Sequence, residues 1–73
     1  MARGRTSSIA LLSRQVVRLR RRTGWTQEEL AHQAGMSRSY VTDIEGRKRN
    51  ITLKTLDKLA IALGVSCAEL LGD

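Results

Sequence analysis

The chain has 73 residues, enough for one small domain with a single modest core. Its formal net charge of +6, from 13 Lys and Arg against 7 Asp and Glu, points to a polyanionic partner. One Cys excludes an intrachain disulfide and a cysteine-based zinc finger, no apolar run can span a membrane, and 3% aromatic content argues against a stacking platform for single strands.

Residues 1–7, MARGRTS, are expected to form a disordered basic arm. They lack the apolar core and cleavage site of a signal peptide. Ser7 or Ser8 can cap a first helix that runs to about Thr23, where Gly24 stops it. Ile9, Leu12, Val16 and Leu19 share one face. Arg14, Arg18, Arg21 and Arg22 share the opposite face, and Arg20 lies at the margin of the apolar stripe. Leu11 falls among the arginines with no core position. The first 25 residues carry seven Arg and no acid. A basic amphipathic helix on a membrane surface competes for this stretch, but that reading explains nothing after residue 23. Trp25 is expected to plug the gap between the first two helices.

Residues 26–46, TQEELAHQAGMSRSYVTDIEG, read as two short helices joined by a tight turn. Thr26 is an N-cap candidate, and Glu29 three residues on completes a capping box. Leu30, Ala31 and Ala34 form an apolar stripe, and the small Ala31 lets the next helix cross closely. Gly35 follows as a stop, where a left-handed backbone costs glycine little. Ser37 caps the next helix. Val41 and Ile44 face inward, leaving Ser39, Thr42 and Asp43 outward. A helix-turn-helix presents a recognition helix to the major groove in this way.

Residues 46–52, GRKRNIT, form a cationic loop. Thr52 can cap a fourth helix to about Leu63, stopped by Gly64, with Leu53, Leu56, Leu59, Ala60 and Leu63 as its core stripe. Ile61 lies off that stripe. Ser66 with Glu69 makes a capping box for a short fifth helix that carries Leu70 and Leu71. No segment alternates apolar and polar residues long enough for a strand. The expected fold is all-α, with five helices and a single DNA-binding and dimerisation domain over residues 8–73.

The order LRRRTGWTQEELA, the Gly35 turn, SYVTDIE and LKTLDKLAIALGV resembles the Cro/cI-type, or XRE, helix-turn-helix regulators from about Val16 to Leu71. The resemblance implies a lambda-repressor-like domain. It also implies a phosphate contact by Gln27, and a partly buried ion pair between Arg20 and Glu45. Within the family, RSYVTDIEGRKRNIT looks like the controller proteins of restriction-modification systems, which carry matches to Arg38, Ser39, Tyr40, Arg49 and Asn50. The arginine-rich first helix and the basic N-terminal extension depart from that pattern.

The expected base readers are Arg38, Ser39, Thr42 and Asp43. Arg38 is suited to guanine O6 and N7. Asp43 can accept from a cytosine amine, although orienting Arg38 or Arg47 suits an acid near phosphates better. The expected phosphate contacts are Gln27, Tyr40, Arg47, Lys48, Arg49 and Asn50. Such a charge cluster can instead be a solvated surface, and Tyr40 can have a purely packing role. Arg3 and Arg5 can track phosphates or enter a minor groove, or belong to a passive tail. A homodimer is expected through Ile61, Val65, Leu70 and Leu71, which offer more apolar surface than a small core uses.

His32 stands alone on an outer face, Glu28 and Glu29 favour a helix dipole, and Cys67 reads as an apolar filler. One His, one Cys and no Gly-rich phosphate loop leave an enzyme nothing to assemble. No metal, cofactor, small-molecule ligand or membrane is expected, and a reducing, cytoplasmic setting fits. Three function classes follow: a homodimeric regulator on a palindromic operator of double-stranded DNA, an antitoxin-like DNA binder with a protein partner, and a helical interaction module without DNA. An antitoxin usually carries a toxin-binding extension, whereas Asp73 directly follows the last helix. The cationic loop beside the recognition helix argues against the third class.

Overall fold

The computed structural model describes residues 8–72. Among them the chain forms α1 (Ser8–Thr23), α2 (Gln27–Ala34), α3 (Arg38–Glu45), α4 (Leu53–Leu63) and α5 (Cys67–Leu70), with no strand. The basic arm, with Arg3 and Arg5, lies outside the described residues.

Local chemistry sets the boundaries. Thr26, Ser37, Thr52 and Ser66 each have an extended backbone and accept from the amide three residues on. Each side chain satisfies a donor that the first turn of a helix leaves free. The Ser66–Glu69 capping box is complete. At Thr26 only half of the expected box forms, because the Glu29 carboxylate instead accepts from Gln33 Nε2 at 2.7 Å. An i, i+4 partner on the same face wins over the reach back to the cap. Gly35 and Gly64 end α2 and α4 in the left-handed region, at φ 69° and 70°.

The helices enclose one core. Leu12, Val16 and Leu19 come from α1, Leu30, Ala31 and Ala34 from α2, and Val41 and Ile44 from α3. Leu56, Leu59, Ala60 and Leu63 come from α4, and Leu70 from α5. Full burial of each large side chain contributes about 1.5–3 kcal/mol. Trp25 packs half-buried against the cluster. A Cβ added at Gly72 would stand 3.0 Å from Leu11 Cδ1, so Leu11 packs under the C-terminal turn.

Two expected placements are corrected. Leu53 is 80% exposed rather than part of the α4 stripe. It sits in the first turn, roughly a quarter turn off the centre of the buried arc, and the buried Thr55 and Leu56 take the inward positions instead. Leu70 is fully buried, because α5 packs against both α1 and α4, so it offers no surface to a second copy. Ile61 is 80% exposed as expected, Leu71 is exposed, and Val65 is half-buried against the core. The Cys67 thiol donates to Asp57 Oδ1 at 3.3 Å, and the hydrogen bond to that carboxylate pushes its pKa up. No described helix is long and apolar enough to cross a membrane.

Candidate nucleic-acid interface

The outer face of α3 is open. Arg38, Ser39, Thr42 and Asp43 line one shallow depression that no other part of the described chain covers. Arg38, Ser39 and Thr42 are exposed and Asp43 is half-buried. Ser37 holds the first turn through its bond with the Tyr40 amide, while Val41 and Ile44 anchor the opposite face in the core. The helix is therefore fixed with its polar side outward.

A network of four side chains joins α1, α2 and α3. Arg20 Nε donates to Glu45 Oε2 at 2.7 Å, and Arg20 Nη2 donates to Glu45 Oε1 at 3.1 Å. Arg20 Nη1 reaches the Trp25 carbonyl at 2.8 Å. Gln27 Nε2 then donates to Glu45 Oε1 at 2.9 Å, and the Thr42 hydroxyl donates to Gln27 Oε1 at 3.2 Å. The ion pair is 13% and 6% exposed at its two side chains, and the Glu45 carboxylate is satisfied on both oxygens. A shielded pair of this kind fixes orientation more than it adds net stability. It holds Gln27, at the start of α2, beside the reading face of α3.

A second cluster organises the loop. Arg49 Nη2 donates to Asp43 Oδ2 at 3.1 Å, and its guanidinium lies 4.6 Å from the centre of the Tyr40 ring. The acid thus engages neither Arg38 nor Arg47, the partners its sequence position suggests. The loop folds back on α3 and brings Arg49, the third cation along it, to the Tyr40 ring and Asp43 together. The Tyr40 hydroxyl lies 3.2 Å from Thr55 Oγ1, directed at α4. Its ring therefore packs as expected, while its oxygen already has a partner. Arg47, Lys48, Arg49 and Asn50 are all exposed. Arg47 alone among the described non-glycine residues has a positive φ, of 62°.

Sequence reasoning missed Thr55 and Ser13. Ser13 is buried in α1 and donates to the Ile44 carbonyl near the end of α3. A small hydroxyl inside a helix carries no periodic signal, so only the α1–α3 contact reveals it.

Two capped helices around a left-handed glycine, with an uncovered polar face and a cationic loop, define a helix-turn-helix protein. The Helix-turn-helix family model matches residues 16–70, and the chain belongs to that family. Control protein C.BamHI of Bacillus amyloliquefaciens is 40% identical over 68 residues, covering 90% of this chain and 84% of the relative. A hypothetical transcription factor of Neisseria meningitidis is 50% identical over 48 residues, and the match spans 66% of this chain but only 45% of that protein. Among solved structures, the restriction-modification controller protein C.AhdI of Aeromonas hydrophila superposes with a TM-score of 0.83 at 36% identity. It covers 86% of this chain and 91% of that one.

Proposed function

We propose that this protein is a sequence-specific transcription regulator that binds double-stranded DNA as a homodimer, in the manner of a restriction-modification controller protein. The observation that carries the reading is the uncovered depression formed by Arg38, Ser39, Thr42 and Asp43 on α3. A single helix with its polar face uncovered fits the major groove. Arg38 is assigned to a guanine edge, with Ser39 and Thr42 beside it. Gln27, Arg47, Lys48, Arg49 and Asn50 are assigned to phosphates on either side. Tyr40 contributes by holding Arg49, and Asp43 by orienting it.

The dimer is assigned to Ile61 and Leu71, with Val65 at its edge. Leu53 adds a further exposed apolar side chain. One module of this size contacts a short half-site, so selective binding at working salt calls for two. The names of the relatives at 40% and 36% identity support the controller subtype. We read the chain as a binding protein of the cytoplasm rather than an enzyme.

Arg38→Ala tests the base-reading role. Affinity for a preferred site is expected to fall by about 1–3 kcal/mol, with relaxed selectivity at one base pair. An equal loss on random duplex makes Arg38 a phosphate contact instead.

A further inference from the structure

A basic groove lies between α1 and the end of α3, away from the base-reading depression. Arg14, Arg18 and Arg21 line it together with Arg47, and Val17 contributes to its floor. The three α1 arginines recur at i, i+4 and i+7, so they form a row along one helix face about 10 Å long. Glu45 is the acid that lines the groove, and both of its oxygens are engaged by Arg20 and Gln27. No ion pair neutralises Arg14, Arg21 or Arg47 among the described residues. Arg18 Nε donates only to the neutral Gln15 amide oxygen, at 3.0 Å. The groove therefore concentrates uncompensated positive charge.

Arg47 lines the groove from the end of α3. Its φ of 62° is a conformation that glycine adopts freely and other residues adopt at a cost. That conformation closes a Schellman cap on α3, with the Arg47 amide donating to the Ile44 carbonyl at 3.2 Å and the Lys48 amide to the Asp43 carbonyl at 2.8 Å, and it sets Arg47 at the groove with the three α1 arginines. Arg47 is also the first loop residue after the Gly46 cap of α3. Whatever holds α3 in a major groove about 12 Å wide brings a flanking phosphate strand toward this end of the helix.

We propose that the α1 arginine row and Arg47 form a phosphate-binding groove for duplex DNA outside the half-site read by α3. The contact is sequence-independent and extends the footprint along the backbone. It rests on the DNA-binding reading above, and it concerns residues to which that reading gives no role except Arg47. An acidic protein surface is the competing occupant.

The test uses the full chain, the triple variant Arg14→Gln/Arg18→Gln/Arg21→Gln and the single variant Arg22→Gln. Glutamine keeps a high helix propensity, and circular dichroism checks that each variant stays helical. Each protein is titrated against two labelled duplexes carrying the same selected site, one ending at its edges and one with about ten further base pairs on each side. On the long duplex the triple variant is expected to lose tenfold or more in affinity. Its salt slope there should be shallower by about 2–3, near 0.9 for each lost phosphate contact. On the short duplex the change should stay under about twofold. Arg22, which does not line the groove, should have no such length-dependent effect when replaced. Unchanged binding of the triple variant to both duplexes overturns the proposal and leaves the groove to an acidic protein. Equal losses on both duplexes, or the same length-dependent loss in Arg22→Gln, overturn it in favour of a general charge effect. Failure of the wild-type chain to prefer any site marks failure of the DNA-binding reading itself.

Discussion

The Thr42 hydroxyl donates to Gln27 Oε1 at 3.2 Å, so the reading face of α3 is tied to the first residue of α2. Gln27 also donates to Glu45, which Arg20 clamps. Glu45→Gln removes the charge that compensates a shielded guanidinium. Stability is expected to fall by about 3 kcal/mol, measured by urea denaturation. The double variant Arg20→Met/Glu45→Leu should regain most of that loss. If Glu45→Gln is neutral, the pair does not position α3.

Gln27→Ala leaves the ion pair in place and removes one bridge. We expect DNA affinity to drop by about 1–2 kcal/mol on preferred and random duplexes alike, as for a phosphate contact. A loss restricted to the preferred site would show that Gln27 acts through the orientation of Thr42 instead.

Asp43 holds Arg49 at 3.1 Å while Tyr40 supports the guanidinium from its ring face. Removing the acid takes a negative charge away from the interface. Asp43→Ala is therefore expected to raise affinity for random DNA and narrow the margin between preferred and random sites. Arg49→Ala should weaken both by similar factors. Fluorescence anisotropy on the two duplexes separates these outcomes. An unchanged margin in Asp43→Ala would contradict the assignment of Asp43 as the residue that directs Arg49.

Arg47 separates stability from function. Arg47→Gly removes the steric cost of its positive φ and should stabilise the fold by about 1 kcal/mol. The same change should reduce DNA affinity and the slope of its salt dependence. Thermal unfolding and a salt titration of one variant check both directions. A variant that is both stabler and undiminished in binding would remove Arg47 from the interface.

Features set by short-range chemistry were legible in the sequence. Thr26, Ser37, Thr52 and Ser66 cap where their spacing from the next apolar run places them, and Gly35 and Gly64 stop where the stripe ends. The Arg20–Glu45 pair was legible only through resemblance, because 25 residues separate its members. Tertiary placement decided what was missed. Leu53 reads as core by helical spacing, yet it points about a quarter turn away from the centre of the buried arc that Thr55 and Leu56 occupy in the same turn. Leu70 reads as spare apolar surface, yet the single turn of α5 delivers it into the core. Asp43 has three arginines nearby in sequence, and the fold-back of the loop selects Arg49.

Ile61 gives the proposed dimer its sharpest test. At 80% exposure it contributes little to the core, so Ile61→Asp should leave each copy helical. Sedimentation is expected to show the wild type as a dimer at micromolar concentration and the variant as a monomer, with weaker binding to a two-half-site duplex. A wild type that sediments as a monomer, or a variant that keeps the dimer, would place the interface elsewhere.

Selection of duplexes from a random pool by the purified protein, followed by sequencing, tests sequence-specific regulation by a symmetric pair most directly. We expect enrichment of a near-palindrome whose half-sites lie about 34 Å, or one turn of DNA, apart. Arg38 should be reflected as a guanine preference in each half. A pool that emerges unenriched, or enriched for a single asymmetric half-site, would contradict it.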